Sequence, residues 1–182
     1  MTKNNKKGFT IIEVVLVLAI AGLIFLMVFI ALPALQRSQR NTRRRQDMAR
    51  IISAVNDYQA NNNGKLPFGG DEDSFVMKYV DPSCKDSDGN YDVKSCGDQA
   101  RDPDGTIYGF TVVDSDTKKV TVGGKEVDGW EITGADINHT VNVYLDGKCS
   151  GVENIVQQAN GNNMFALIYV LEGGAVYCGD NQ

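Results

Sequence analysis

An unbroken apolar run from Val14 to Leu32 is the feature that most limits how this chain can fold. Its 19 residues contain no polar side chain, and Gly22 is the only interruption in the series of apolar groups. Wound into a helix that rises about 1.5 Å per residue, the run would nearly cross a hydrocarbon core of about 30 Å. We therefore expect a helix that spends at least one stage in a membrane.

A cleaved secretory signal is the competing interpretation of this run. Lys3, Lys6 and Lys7 supply the positive region that such signals carry ahead of their apolar part. The run is longer than the usual apolar part of a signal, and no small-x-small cleavage site precedes Arg37. We therefore expect most of the segment to remain part of the chain.

One long helix is expected from residue 9 to about residue 62. Its distal half carries a stripe of apolar residues at helical spacing, while Arg, Gln, Asn and Asp occupy the other positions. The stripe consists of Met48, Ile51, Ile52, Val55 and Tyr58. Asn61 to Gly64 tolerate the left-handed backbone of a helix end, and Pro67 follows. Gly22 and Pro33 lie inside the apolar half and predict local weakness or a bend.

Beyond residue 63 the sequence changes to the pattern of strands and turns. Five segments are rich in β-branched and aromatic residues, namely 107–113, 119–122, 127–132, 140–145 and 164–172. Glycine pairs at 123–124 and 173–174 stand where hairpin turns would be. The expected fold class is α+β, with the long amino-terminal helix packed on a small antiparallel β-sheet. Between the strands we expect a long surface loop at 81–106 and one short helix at 152–159.

Charge is distributed unevenly along the chain. Three lysines precede the apolar run, and six arginines follow it with only Asp47 to offset them: Arg37, Arg40, Arg43, Arg44, Arg45 and Arg50. Residues 51–182 hold 9 Lys and Arg against 21 Asp and Glu, a formal charge of −12. This distal part should be soluble. It should not bind nucleic acid by itself, because such binding depends on basic side chains that neutralise phosphates.

All four cysteines lie distal to the apolar run, at Cys84, Cys96, Cys149 and Cys178. They form no C-x-x-C motif, and the single His139 cannot complete a common zinc set, so we expect disulfides and neither a metal nor another cofactor. Disulfides in turn indicate an exported location. Three pairings are possible, and proximity in sequence favours Cys84–Cys96 with Cys149–Cys178 without proving it.

Glu13 stands at the head of the apolar run, where an ionised carboxylate is costly. The simplest structural explanation is that its side chain reaches the membrane surface. The string around it, Gly8-Phe9-Thr10-Ile11-Ile12-Glu13, follows a lysine-bearing leader and resembles the processing-site signature of type IV pilin precursors. The resemblance covers residues 1 to about 60, and beyond them it is architectural.

The resemblance implies how the amino terminus is processed and used. Gly8 would precede the bond that a membrane aspartic peptidase cuts on the cytoplasmic side, and Phe9 would become an N-methylated amino terminus. Glu13 would then pair with that amine, on its own chain or on a neighbouring subunit, as helices bundle in a filament. Such pairing would offset the desolvation cost of the carboxylate.

The resemblance also gives roles to residues further along the chain. Gly22 falls where the family commonly has a helix-weakening glycine, whereas Pro33 lies a few residues beyond the family's usual proline. The stretch between them would be able to lose helical hydrogen bonds and extend in a filament. Cys149 and Cys178 would bound the disulfide-closed carboxy-terminal region found in many pilins.

The arginines that follow the apolar run depart from expectation, since they lie on the exported side and oppose the positive-inside tendency. A solvated helix face that pairs with acidic domains of neighbouring subunits is the favoured interpretation. Contact with anionic lipid or cell-wall polymer and capture of DNA are the alternatives. Aromatic residues, which would favour single-stranded nucleic acid, are absent from 37–50.

Weaker patterns are better explained by structure than by chemistry. Asp86 to Asp92 alternates oxygen ligands as a calcium loop does but lacks the glycine and glutamate of an EF-hand, so we expect a solvated acidic turn. Asn138-His139-Thr140 fits a glycosylation acceptor, a pattern common by chance. His139 is expected at the surface or in a hydrogen bond, and Trp130 in the core. With one histidine and no phosphate-binding loop, the chain is not expected to be an enzyme.

The sequence thus predicts a structural subunit of a type IV pilus. Its segments would be a leader (1–8), a transmembrane and filament-core helix (9–35), an amphipathic continuation (36–62) and a globular β domain (63–182). Partners would be related pilin subunits, a prepilin peptidase, the assembly machinery and, before assembly, membrane lipid. The precursor would lie in the inner (cytoplasmic) membrane and the product in a filament at the cell surface. The alternatives are a pseudopilin of a type II secretion system and an unprocessed single-span surface binding protein.

Overall fold

A computed structural model describes residues 8–68, 70, 72–113, 117–132, 139–152, 154–161 and 163–181. The chain forms two compact units that divide between Gln39 and Arg40. The first unit contains the amino-terminal part of helix α1 (Ile11–Asn61), and the second contains the rest of that helix and all of the described strands. The long amino-terminal helix and the antiparallel-rich β region confirm the predicted α+β fold class.

Helix α1 is continuous over 51 residues, through Gly22 and through Pro33. It ends where predicted, because Asn63 and Gly64 adopt left-handed backbone angles with φ of 55° and 79°. The amide of Gly64 donates to the carbonyl of Gln59 at 2.8 Å, which satisfies one of the carbonyls that a helix end leaves open.

The predicted apolar stripe faces the core of the second unit. Met48, Ile51 and Val55 are fully buried, Tyr58 is nearly so, and Ile52 is half-buried. Full burial of a side chain of this size stabilises a fold by about 1.5–3 kcal/mol. The distal half of α1 is therefore held by its apolar face, as the periodicity predicted.

The strands in the described part of the chain form two four-stranded sheets. The first has the order β1 (Gly109–Val112), β4 (Thr140–Leu145), β7 (Phe165–Val170) and β8 (Val176–Asp180). The second has the order β2 (Lys118–Val122), β3 (Lys125–Glu131), β6 (Ile155–Gln158) and β5 (Gly147–Cys149). All neighbours are antiparallel except β1 and β4, which pair in parallel from Gly109 with Thr140 to Val112 with Val143. We expected a single antiparallel sheet, and this expectation is wrong with respect to β1 and β4. The chain forms β2 and β3 between these two strands, so that β4 runs in the same direction as β1.

Strand β7 is buried on both faces. Phe165, Leu167 and Tyr169 join the core that includes the α1 stripe, whereas Ala166 and Ile168 join a smaller cluster around Trp130. This accounts for the uninterrupted apolar sequence of β7. It also confirms the prediction that Trp130 is a core residue.

Two connecting segments differ from expectation. The helix predicted at 152–159 is wrong, because Ile155–Gln158 is strand β6 and finds backbone partners in both β3 and β5. The segment 81–106 is not simply a surface loop, since it contains a 3₁₀ turn at Asp98–Ala100 and buries several residues. It follows a short helix α2 (Glu72–Phe75) that continues as a π-helical turn at Val76–Val80.

Candidate functional site

The apolar half of α1 is exposed along its whole described length in the first unit. From Gly8 to Gln39 every residue is exposed except Ala21, which is half-buried. Phe9 is 90% exposed and Phe29 is 73% exposed. By length and composition, α1 is the one helix among the described residues that could cross a membrane. A surface this apolar requires a lipid or protein partner, since water is a poor solvent for it.

Thr10 and Glu13 form a reciprocal hydrogen-bonded pair at the start of this helix. The backbone N–H and the hydroxyl of Thr10 both donate to Glu13 Oε2 at 2.9 Å, and the N–H of Glu13 donates to Thr10 Oγ1 at 3.3 Å. This is a capping box, which satisfies amide groups that the first helical turn cannot pair. The capping box was not among the sequence predictions, although the spacing Thr-x-x-Glu before an apolar run is its usual signal.

The capping box holds the Glu13 carboxylate against Thr10, the residue that follows Phe9, at the amino-terminal end of α1. Gly8 and Phe9 precede the helix and are both exposed. Gly22 lies within the helix, and a Cβ atom there would meet nothing within 4 Å. Packing within this chain therefore gives no reason for a glycine at position 22. Pro33 also lies within α1.

The arginines that follow the apolar run do not form one solvated face, and that expectation is wrong for three of them. Arg44 is only 2% exposed. Arg40 and Arg50 are half-buried, and each has a carboxylate partner within the chain. Arg43 and Arg45 are exposed. The helix therefore uses part of its positive charge to hold its own domain.

Asp102 is the central acceptor of this buried network and is itself 2% exposed. Arg44 Nε donates to Asp102 Oδ2 at 2.6 Å and Arg44 Nη2 to Oδ1 at 2.7 Å, while the hydroxyl of Tyr169 donates to Oδ2 at 2.6 Å. Burial by itself would raise the pKa of the Asp102 carboxyl, but the bonds from Arg44 and Tyr169 outweigh it and bring the pKa to about 2. The carboxylate therefore stays ionised inside the domain.

Glu172, in the turn between β7 and β8, receives three side chains from α1. Arg40 donates to both of its carboxylate oxygens at 2.6 and 2.7 Å, and Arg44 Nη1 donates to Oε1 at 2.6 Å. The bond from Arg40, with that from Arg44, lowers the pKa of Glu172 to about 2. Asn41 binds the main chain of the same residue, donating from Nδ2 to the carbonyl and accepting from the N–H at Oδ1, both at 3.0 Å.

A second set of contacts joins α1 to the end of segment 81–106 and to Tyr108 just beyond it. The hydroxyl of Tyr108 donates to Asp47 Oδ2 at 3.0 Å, and burial raises the pKa of Asp47 more than this bond lowers it. Arg50 donates to Asp47 Oδ1 at 3.2 Å and also to the carbonyl of Gln99. The side chains at 44, 47 and 50, spaced one turn apart, therefore all bind residues between 99 and 108.

The sequence held one signal for this network. Arg44 lies on the apolar stripe, four residues before Met48 and seven before Ile51, so helical geometry places it on the buried face. Its partners had no comparable signal, because Asp102 and Glu172 lie 58 and 128 residues away.

The cysteines form two disulfide bonds, Cys84–Cys96 and Cys149–Cys178. This is the pairing that proximity in sequence favoured. Cys84 is fully buried and Cys96 nearly so, and both belong to the core that includes the apolar stripe of α1. The first bond thus lies inside the domain, within the segment that binds α1.

Among the residues that the structure describes, His139, Asp102 and Asp104 come closest to a metal-binding arrangement. One donor atom of each lies within 4.8 Å of the others, and His139 Nε2 is 3.1 Å from Asp104 Oδ2. Both oxygens of Asp102 already accept hydrogen bonds from Arg44, whose positive charge opposes a cation. This makes Asp102 a poor metal ligand. We interpret His139 and Asp104 as polar neighbours of the Arg44–Asp102 ion pair.

The acidic stretch Asp86–Asp92 forms a turn stabilised by its own carboxylate. Asp86 Oδ1 accepts the amides of Asp88 at 2.9 Å and Asn90 at 2.8 Å. These bonds with the backbone lower the pKa of Asp86, chiefly through Asn90. The possible glycosylation acceptor Asn138 lies outside the described residues.

Residues 3–29 match the family model of the prokaryotic N-terminal methylation motif. This is the prepilin-type motif of type IV pilin family members, and it covers residues 3–8, the capping box and most of the apolar run. The resemblance read from Gly8 to Glu13 is thereby confirmed for the amino-terminal segment. No curated protein and no solved structure matches the chain.

Proposed function

We propose that the chain is the precursor of a type IV pilus subunit, which polymerises through its amino-terminal helix. The observation that carries this proposal is the methylation motif at residues 3–29, continued by a helix whose apolar side chains are exposed. A motif of this kind indicates processing by a prepilin peptidase and entry into pilus-type assembly machinery. The motif supports a structural role rather than an enzymatic one.

Processing would give the chain a new amino terminus that takes part in filament assembly. Cleavage between Gly8 and Phe9 frees the amine of Phe9, which is then methylated. Glu13, already turned toward the amino-terminal end by its bonds with Thr10, presents its carboxylate near that amine. In a bundle of apolar helices the two charges stabilise each other, and an unpaired charge would be penalised by several kcal/mol. The pair therefore favours the register in which every carboxylate meets an amine.

The rest of the chain would divide as the sequence suggested. Residues 1–8 are the leader, 9–35 the membrane and filament-core helix, 36–62 its amphipathic continuation and 63–182 the β domain. Gly22 and Pro33 bound the stretch that extends within a filament. The absence of packing around Gly22 supports this role, because neither a Cβ clash nor a tight contact accounts for the glycine.

The location changes during this sequence of events. The precursor is anchored in the cytoplasmic membrane by α1, where lipid covers the apolar surface, and the processed subunit passes into a filament on the cell surface. The two disulfides are consistent with a domain on the exported side, since such bonds persist in oxidising compartments. Arg43 and Arg45, which are exposed, would face the acidic domains of neighbouring subunits.

A pseudopilin of a type II secretion system is the second candidate, because the same motif serves both systems. The acidic turn Asp86–Asp92, which is exposed at residues 86–90, favours it, since related pseudopilins bind calcium in distal loops. Millimolar calcium should raise the melting temperature of the processed chain in detergent if this candidate is correct. An unchanged melting temperature would favour the pilus subunit.

Intact mass of the chain from filaments sheared off cells tests the main proposal. We expect a mass that lacks residues 1–8, is heavier by one methyl group and is lighter by the four hydrogens of two disulfides. High abundance in the filament would identify a major subunit. A chain that keeps Met1–Gly8 and occurs only in membranes would overturn the proposal in favour of a single-span surface binding protein.

A further inference from the structure

The disulfide-closed segment and the helix are connected by a continuous set of polar contacts. Arg101 stands between the two, because it follows the Cys84–Cys96 loop and directly precedes Asp102. Its Nε donates to the carbonyl of Cys96 at 3.1 Å, Nη1 to the carbonyl of Gly105 at 2.9 Å and Nη2 to that of Val93 at 3.3 Å. One guanidinium thus ties the chain on both sides of Asp102 to the disulfide.

The other end of the same loop is fixed by a second group of bonds. The hydroxyl of Ser83 donates to Asp81 Oδ1 at 2.5 Å and accepts the amide of Gly97 at 2.9 Å. A Cβ at Gly97 would lie 3.1 Å from both Asp81 Oδ2 and Ser83 Oγ, so glycine lets the chain pass close to them. Residues next to both cysteines are therefore held together just before the 3₁₀ turn Asp98–Ala100.

What this segment presents is the binding surface for α1. The carboxylate of Asp102, the carbonyl of Gln99 and the hydroxyl of Tyr108 contact Arg44, Arg50 and Asp47 respectively. Three acceptors or donors must lie at fixed positions to meet side chains one helical turn apart. If the disulfide were reduced, the loop would lose conformational entropy each time α1 packed on it, and this loss would weaken the packing.

We infer that the Cys84–Cys96 bond controls how firmly α1 is held on the β domain, by fixing Asp102 and Gln99 for Arg44 and Arg50. In this mechanism, formation of the bond strengthens the docking of the helix, and burial of both cysteines in the folded domain then protects the bond from exchange. The two thiols lose two protons and two electrons by exchange with a disulfide-bearing oxidant, which is reduced to its dithiol. On the reducing side of the membrane α1 is loosely packed on the β domain. After export the disulfide forms, and the helix is then packed more firmly. The timing rests on the proposed export, whereas the coupling itself does not.

Amide hydrogen exchange of the full chain in detergent micelles tests the coupling. In the variant with Cys84→Ser and Cys96→Ser, we expect exchange over residues 44–58 to be about tenfold faster than in the wild type. Arg101→Gln, which keeps the disulfide, should speed exchange in the same residues. The matched control with Cys149→Ser and Cys178→Ser should act mainly on β5 and β8.

Combination with Arg44→Ala separates coupling from general loss of stability. If the bond acts through the Arg44 and Arg50 contacts, the cysteine variant adds clearly less to exchange over 44–58 once Arg44 is absent, because only the Arg50 contact then remains, while the control pair adds its full effect. Protection in β7 and near Trp130 shows that each variant remains folded. Unchanged protection of 44–58 in both the Cys84/Cys96 and Arg101→Gln variants, or full additivity with Arg44→Ala, would overturn the inference. Neither result would bear on whether the chain enters filaments.

Discussion

Arg44 of helix α1 meets Asp102 of the β domain through two parallel hydrogen bonds of 2.6 and 2.7 Å. Both side chains are almost completely buried. A guanidinium matches a carboxylate in this forked geometry better than a lysine ammonium would, because its donors are fixed in one plane. The ion pair therefore specifies how the helix lies on its domain.

Removal of Arg44 should destabilise the domain strongly. Arg44→Ala leaves Asp102 buried without its counter-ion, and loss of one partner of such a pair typically costs about 3–5 kcal/mol. Thermal or denaturant unfolding of the full chain in detergent would measure this loss. Arg43→Ala, at an exposed neighbouring position, is the control and should change stability by no more than about 0.5 kcal/mol. Equal effects of the two substitutions would show that the buried pair is not essential.

Acid should loosen the domain through Asp102 and Glu172. The pKa of each is about 2 in the folded chain, against about 3.9 and 4.3 for unperturbed Asp and Glu. Their contribution is therefore complete above about pH 5 and is lost as the pH falls toward 2, with Asp102 alone accounting for about 2–3 kcal/mol. Asp47, whose pKa is raised, acts in the opposite direction and offsets part of this loss.

Melting temperatures between pH 6 and pH 2 would check this pH dependence. Asp102→Asn should melt at a lower temperature at pH 6 and show a shallower decline than the wild type. Parallel curves for the two proteins would mean that other carboxyls govern the acid response.

Gly129 in β3 should not tolerate a side chain. A Cβ there would collide with the carbonyl oxygen of Val156 and lie 3.1 Å from the Cα of Gln157, both in strand β6. Gly129→Ala should therefore cost about 1–3 kcal/mol by forcing the strands apart. Gly109→Ala in β1 is the control, since its Cβ would meet only Thr140 Oγ1 at 3.9 Å. Comparable unfolding midpoints for the two variants would contradict this explanation.

Glu13 should matter for assembly and not for processing. We expect Glu13→Ala to be cleaved normally but to enter filaments poorly, because the amine of Phe9 then lacks its partner. Thr10→Val keeps the carboxylate and loses only the hydroxyl part of the capping box, a loss of about 1 kcal/mol in helix stability. Filament yield, with the mass of the chain as the measure of cleavage, would distinguish the two roles. If Thr10→Val reduced the yield as much as Glu13→Ala, capping would explain the role of Glu13; normal filaments from Glu13→Ala would exclude pairing.

The parts of the structure that depend on local pattern were predictable from the sequence. The apolar stripe from Met48 to Tyr58 follows helical spacing, and five of the strands coincide closely with runs of β-branched and aromatic residues. Strand β6 was mistaken for a helix because Ile155 and Val156 form too short an apolar run to show a period. Its conformation is decided by pairing with β3 and β5.

The arginine network depends on contacts distant in sequence and could not be predicted in the same way. The stripe indicates that Arg44 faces the core, but only the folded chain shows that Asp102 and Glu172 converge on it. An excess of positive charge after an apolar run therefore suggested a surface role for residues that in fact stabilise the interior. The capping box, by contrast, was present in the spacing of Thr10 and Glu13 and was overlooked.

Asn41 recognises residue 172 by its main chain, while Arg40 and Arg44 recognise it by its charge. The first kind of contact is indifferent to protonation and to the identity of the side chain. When acid neutralises Glu172, the side-chain amide of Asn41 can still form its two hydrogen bonds with the main chain of that residue, in the turn between β7 and β8. The ionic contacts can then re-form with the same partners when the pH rises again. The Asn41 contact thus keeps the helix in its place on the domain while Glu172 is protonated.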